Sequence, residues 1–283
     1  MFFARLASGR AAIASPNVMS PSASLPVPTV TPPPVPTSPN PCEISERDLA
    51  IGGLVAAFGI LGTWALSLAF LMRADITQWS FAQKLCGLAW QTFLYTGLFV
   101  TAHDGMHGSI CVTNARLNDA IGAIAIAIYA LFDFKTLRKR HHEHHARPST
   151  ELDPDYHDGR RTNFFQWYSY FMTRYWSWLR LFSLIAIFHI VHRLFGVPEA
   201  NLAWFWVYPS VLSSAQLFFF GTYLPHRETE RGYANVHRTQ STEIAEIWSF
   251  LTCYHFGYHY EHHEYPGVPW WQLPMVYRKT RET

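Results

Sequence analysis

A chain of 283 residues with a formal net charge of +2 carries too little positive charge to suggest nucleic acid as a partner. Four cysteines (Cys42, Cys86, Cys111 and Cys253) lie far apart without a C-x-x-C pair, which argues against both a disulfide framework and a cysteine-based zinc site. Mean hydropathy is near zero, yet long apolar runs alternate with strongly polar ones, and that alternation points to a membrane-embedded unit.

Residues 1–42 contain no Asp or Glu, carry Arg5 and Arg10, and hold ten prolines between Pro16 and Pro41. Such a composition builds no core. Residues 1–48 are therefore expected to be a disordered Pro/Ser-rich extension or, given the Ala, Ser and Arg content, an organelle-targeting segment. Residues 49–72 then run for 24 positions without a charge, longer than the roughly 20 that span a bilayer core. A short loop with Arg73, Asp75 and Lys84 leads into 18 uncharged residues, 85–102, so the two runs form a helical hairpin whose second arm ends at His103. Residues 120–132 are apolar for only 13 positions and fit a re-entrant or interfacial helix. Segment 164–178 is dense in Trp and Tyr, as interfacial segments are.

Residues 181–197 form a weaker span, interrupted near its end by His189, His192 and Arg193, which can snorkel to the interface. The run 202–224 has 23 uncharged residues and is the clearest late span. The expected fold class is thus an all-α integral membrane protein with about four transmembrane helices in two hairpins and a cytoplasmic histidine-rich helical cap. Both hairpins return the chain to one side, where Lys135, Arg138, Lys139, Arg140, Arg147, Arg160, Arg161, Arg227, Arg231 and Arg238 collect. By the positive-inside rule that side is cytoplasmic, or stromal in a plastid.

Ten of the fifteen histidines fall in three windows. His103 and His107 stand at i and i+4; His141 with His144 and His145 at i, i+3 and i+4; His255, His259, His262 and His263 at offsets of 0, 4, 7 and 8. Each spacing places imidazoles on one helical face. His226 joins them just after the fourth span. Imidazole alone does not choose among zinc, copper, iron and nickel, but about nine convergent ligands exceed what one zinc takes and suit two metal ions with positions left open. His142 projects about 100° away from its neighbours on a helix. His189 and His192 read as interfacial, His237 as a solvated loop residue, and His157 as either carboxylate-held or superficial. Asp104, Glu143, Asp153, Asp155, Glu261 and Glu264 are placed to accept the outward N–H of ligating imidazoles.

The words around these histidines carry a family resemblance. Phe93-Leu94-Tyr95-Thr96-Gly97-Leu98-Phe99 with His103-Asp104-Gly105-Met106-His107-Gly108 resembles the β-carotene ketolases of the membrane fatty-acid-desaturase-like group, in their cyanobacterial style. So do His141 to His145 with Glu151-Leu152-Asp153-Pro154-Asp155-Tyr156-His157, and Phe220-Gly221-Thr222-Tyr223-Leu224-Pro225-His226. The last stretch runs from Cys253-Tyr254-His255-Phe256-Gly257-Tyr258-His259-Tyr260-Glu261-His262-His263 to Pro269-Trp270-Trp271-Gln272-Leu273-Pro274. The match covers roughly residues 85–275, and His142 departs from it, since the family usually carries Trp there.

What the resemblance implies is a di-iron oxygenase domain over 49–275, followed by a C-terminal tail, 276–283. Its two non-haem irons would be held by His103, His107, His141, His144, His145, His226, His259, His262 and His263. His255 would be a tenth ligand or a residue supporting the others. The implied reaction oxidises the ring carbon-4 methylene of β-carotene, drawn from the bilayer, to a ketone with O₂ as co-substrate and reduced ferredoxin or a similar electron donor. A carotenoid ring hydroxylase, a fatty-acid or sphingolipid desaturase and a non-enzymatic metal-binding membrane protein are the alternatives. The expected location is a bacterial membrane, or a plastid membrane if residues 1–42 are a transit peptide, with membrane lipid around the chain.

Overall fold

The computed structural model describes residues 44–282 apart from Arg231; the expected extension up to residue 43 lies outside the described residues. Helix α1 (Glu46–Arg73) begins where Ser45 Oγ accepts the Asp48 amide, with acids in its first turn and Arg73 in its last, the charge order that favours a helix. After a short turn, a reciprocal Ser80/Gln83 capping box opens α2 (Phe81–His107). At 27 residues, α2 extends about 40 Å, more than the roughly 30 Å of a bilayer core. It therefore runs past its apolar stretch and carries His103 and His107 into the polar cap.

Gly108, at φ 80, ends α2 in a left-handed cap that collects the carbonyls of Asp104 and Gly105. Helix α3 (Ala115–Ala130) folds back along α2 at a glycine contact: a Cβ on Gly105 would sit 3.0 Å from the Gly122 Cα. Asn118 sews the two together, accepting the Ile110 amide and donating to the Gly105 carbonyl. Leu131, at φ 56, then stops α3, and α4 (Phe134–Ala146) leaves at 98°. The short apolar run is thus one arm of a sharply bent pair, and α4 carries four histidines, His141, His142, His144 and His145.

Helix α5 (Phe164–Arg174) leads to α6 (Trp178–Phe195), which buries none of its residues and exposes Leu179, Phe182 and Leu194. Such a surface would be a liability in water and is ordinary in lipid. The late apolar run is helical throughout from Glu199 to His226, but not uniformly α. Helix α7 (Glu199–Leu202), a π segment (Ala203–Val207), α8 (Tyr208–Phe218), a second π segment (Phe219–Tyr223) and α9 (Leu224–His226) follow one another without leaving helical backbone. Pro209 and Pro225 explain the pattern: a proline lacks the amide and crowds the carbonyl four residues back, and a widened turn just before it relieves both problems.

Among the described residues three helices, α1, α2 and α6, are long and apolar enough to cross a membrane, or four segments if the bent α3–α4 pair counts as one. The 199–226 run is apolar over a comparable length, though its α portions are individually short. Asn201 joins the two hairpins at the end far from the histidines by donating to the carbonyls of Leu71 (2.7 Å) and Ala74 (2.8 Å). Helices α10 (Glu246–Cys253), α11 (His259–Glu264) and α12 (Leu273–Glu282) complete the polar cap. Residues 276–282, expected as a tail, belong to α12, which is held by Arg281 on Glu243 (2.8 Å) and by Arg278 on Glu246. Among the described residues every regular element is helical.

Candidate metal centre

Four helical segments deliver nine imidazoles to two adjoining points. The first group joins His103 and His107 of α2, His141 and His145 of α4, and His262 of α11; the second joins His144 of α4, His226 of α9, and His259 and His263 of α11. In each group the nitrogens lie within 4.8 Å of one another. The groups touch through His145 and His263, whose rings stack at 4.1 Å. These nine are the residues that the desaturase-like pattern implies as ligands.

The ring nitrogens meet at hydrogen-bonding distance in more contacts than their protons can bridge. Nε2 of His107 and His141 are 2.7 Å apart, of His145 and His262 2.9 Å, of His103 and His262 3.1 Å, and of His259 and His263 3.1 Å. One proton can bridge one such pair, but Nε2 of His141, His145 and His262 each serves two neighbours. A cation fits better, since metal–nitrogen bonds of about 2.1 Å put adjacent octahedral ligands about 3.0 Å apart. Nε2 of His226 is buried with no hydrogen-bond partner, as a nitrogen meant for a metal would be.

Burial holds His259, His262 and His263 well below the ordinary histidine value, so their lone pairs are free at neutral pH. His144 differs. Burial opposes its charge, but the Asp153 carboxylate outweighs burial and lifts it to about 9. Asp153 accepts from His144 Nδ1 at 3.0 Å and from the amides of Ser149 and Asp155 at 2.8 Å each. Burial also opposes the charge on Asp153, yet these contacts hold it below the carboxylate range. Asp155, 4.0 Å from His144 Nδ1, is pushed up to about 6 by burial against the pull of that ring. His226 is aimed by the backbone: its Nδ1 lies 3.1 Å from the Arg238 carbonyl, fixing the tautomer that points Nε2 inward.

His255 is the expected ligand that joins neither group. The offsets of 0, 4, 7 and 8 presuppose one helix, but Tyr254 (φ 48) and His255 (φ 61) both adopt left-handed backbone and separate α10 from α11. The ring stacks on Tyr258 at 5.6 Å instead. Off the groups as expected are His142, with Nε2 3.0 Å from the Met106 carbonyl, and His192, with Nδ1 2.8 Å from that of Val197; His189 also stands apart. His157 packs on Tyr156 and Trp167.

The carboxylates divide similarly. Asp153 and Asp155 serve His144; Asp104 accepts the Trp270 amide and stands 3.7 Å from His103 Nδ1. Glu143 lies near Lys139 on the outer face of α4. Glu261 is occupied by the hydroxyls of Ser241 and Thr280. Glu264 pairs at 2.9 Å with His237, which is half-buried rather than solvated, its ring 5.9 Å from that of His263. A Glu264–His237 pairing over 27 residues leaves no local spacing signal.

Both groups border an apolar cavity of about 330 Å³, which the sequence did not reveal. Its lining includes His103, His141, His144 and His259 of the two groups, the apolar side chains of Phe99, Tyr129, Phe171, Leu217, Phe218 and Phe256, and Leu181, Leu184 and Val211 from α6 and α8. Gly221 is needed here, because a Cβ would lie 2.3 Å from the Phe256 ring.

The family model "Fatty acid desaturase" matches residues 77–199 and 160–283. A "Beta-carotene ketolase" of Paracoccus sp. (strain PC1) is 41% identical over 81% of this chain and 92% of its own. A "Beta-carotene 4-ketolase 3" of Haematococcus lacustris is 44% identical over 66% of this chain and 59% of its own, and a "Zeaxanthin 4-ketolase" of Chlamydomonas reinhardtii 38% identical over 79% and 53%. This chain thus spans little more than half the length of the algal relatives it matches. No solved structure matches it.

Proposed function

Because this chain belongs to the fatty acid desaturase family, among the β-carotene ketolases, we propose that it is an O₂-dependent di-iron oxygenase converting the ring carbon-4 methylene of β-carotene to a ketone. The observation that carries this reading is the apolar cavity laid directly against both histidine groups. One iron would be held by His103, His107, His141, His145 and His262, the other by His144, His226, His259 and His263. Iron held there supplies the O₂-dependent oxidation of a C–H bond.

The chain's own residues do the positioning. Asp153 accepts a hydrogen bond from Nδ1–H of His144 and the Arg238 carbonyl one from Nδ1–H of His226, so each would present Nε2 to a metal, whose binding would displace the second proton of His144. The aromatic and aliphatic walls hold one cyclic end of the substrate and exclude water from its allylic methylene. Two successive hydroxylations at one carbon give a geminal diol, and loss of water leaves the ketone. A cavity of this volume takes one end of a forty-carbon chain, and a lining drawn partly from the apolar helices α6 and α8 suits arrival from the bilayer. Reduced ferredoxin or a similar carrier would supply electrons.

The topology that fits is four spans in two hairpins (α1 with α2, α6 with the 199–226 run) in a bacterial or plastid membrane, with the histidine groups on the cytoplasmic or stromal side. Residues 49–275 form the oxygenase unit in this reading. Expression in a host that accumulates β-carotene tests the function. Echinenone followed by canthaxanthin is expected; a product hydroxylated only at ring carbon 3 would make the chain a hydroxylase, and untouched carotenoids beside newly unsaturated lipids would make it a desaturase.

A further inference from the structure

The two histidine groups are not equally shielded. All four rings of the second group are buried, whereas His107, His141 and His145 of the first are only half-buried. His141 and His145 stand on α4 itself, and His107 meets them from α2. The inner face of α4 carries the ligating histidines, and Lys135, Lys139 and His142, at offsets of zero, four and seven, share its outer face, all three exposed. Arg147 is exposed just past the helix end.

The charge of this face is positive after its internal pairings are counted. Arg138 is tied to Asp119 and Arg140 to the Arg174 carbonyl. Lys139 has a side chain 79% exposed and stands 3.9 Å from Glu143, and Lys135 feels the carboxylates of Asp133 and Asp119, so five basic residues (Lys135, Arg138, Lys139, Arg140 and Arg147) stand against three acids. At the centre lies His142, whose ring is 5.7 Å from that of His107. An exposed aromatic ring thus connects the basic surface to a ring of the first group, and His107 Nε2 is 2.7 Å from His141 Nε2.

We propose that the outer face of α4 docks an acidic one-electron carrier protein of the iron–sulfur class, and that electrons pass through His142 and His107 to the first histidine group. This rests on the oxygenase reading: each hydroxylation consumes one O₂, two protons and two electrons, releases one water and inserts one oxygen into the C–H bond. Two reduced carriers supply those electrons and leave as two oxidised carriers. Complementary charge steers such encounters and orients the partner. An anionic lipid surface would satisfy the lysines but supply no electrons, and it has no use for the His142–His107 contact.

The test uses the full chain in neutral detergent, with an acidic [2Fe–2S] ferredoxin as the probe. Affinity for the ferredoxin is measured on metal-free protein, and anaerobic oxidation of the reduced ferredoxin is followed by its visible absorbance on iron-loaded protein. The triple variant Lys135→Glu, Lys139→Glu, Arg147→Glu is expected to lose about tenfold or more in both affinity and transfer rate, with a flatter salt dependence. Its iron content and its reduction by dithionite should match the parent's. His142→Ala should keep the affinity and slow the transfer. Unchanged ferredoxin affinity and rate in a triple variant with normal iron would overturn the proposal, as would a loss confined to binding of anionic phospholipid vesicles. A parent chain that takes up no iron and shows no change with dithionite would overturn the oxygenase reading beneath it, while the affinity on metal-free protein would still judge the surface.

Discussion

Both carboxylate oxygens of Asp153 lie 3.0 Å from Nδ1 of His144. A carboxylate so placed fixes the tautomer of a metal-binding imidazole and strengthens its free nitrogen, an effect commonly worth 10- to 100-fold in metal affinity. Asp153→Ala is therefore expected to lower iron retention under chelator challenge by about that factor, with one iron per chain lost before the other, because only the second group contains His144. Asp153→Asn, which keeps an acceptor oxygen, should fall between. Equal retention in the parent and Asp153→Ala would remove Asp153 from the site.

Ligand and bystander histidines should separate cleanly. His262→Ala and His259→Ala each delete an imidazole from a crowded group and should abolish turnover and lower iron content. His255→Ala should retain both irons, since its ring stacks on Tyr258 outside either group, and His189→Ala should change little. Iron analysis of the purified variants decides; loss of iron in His255→Ala would return that residue to the ligand set.

Helical spacing made eight of the nine converging histidines legible, because i, i+3 and i+4 pairs need only a local helix; His226 stands alone in the sequence and was placed by its position after the last apolar run and by the family resemblance. The division into two groups was not legible, since it depends on how α4 and α11 face each other: His144 and His145 are sequence neighbours and belong to different groups. His255 was assigned to a helix that two left-handed residues interrupt. The late apolar run was readable from its lack of charge, but its π segments arise from prolines within it. The cavity could not be read, as its walls come from helices distant in sequence that meet only in the fold.

Phe256 makes edge contacts with His103 at 4.7 Å and His259 at 5.4 Å, and Gly221 leaves the space that its ring occupies. Gly221→Ala should push that ring toward the histidines, destabilise the protein by about 1–3 kcal/mol and reduce turnover. Phe256→Leu removes the colliding ring carbons, so Gly221→Ala combined with it should cost less than the two single effects added. Thermal stability in detergent and product yield measure the cycle. Strict additivity would mean that the two residues do not meet as described.

The final prediction concerns sidedness. Helices α1 and α2 exceed a bilayer core in length, so their connecting turn, residues 74–80, emerges opposite the histidine end of α2. Asn201 binds the carbonyls of Leu71 and Ala74, which brings the turn between α6 and the 199–226 run to that same far side. His226, at the other end of the run, meets His144 with ring centroids 4.7 Å apart. Both hairpins therefore open toward the histidines, and α12 lies with them through its contacts to Glu243 and Glu246. The basic residues of the cap outnumber Arg73, Lys84 and Arg193 at the far side, so by the positive-inside rule the cap is expected to face inward. In a bacterial host, a periplasmic reporter inserted within residues 75–79 should be active and one fused after Thr283 inactive, with a cytoplasmic reporter giving the reverse. An active periplasmic reporter after Thr283 would invert the orientation; activity of the same reporter at both sites would break the hairpin pairing itself.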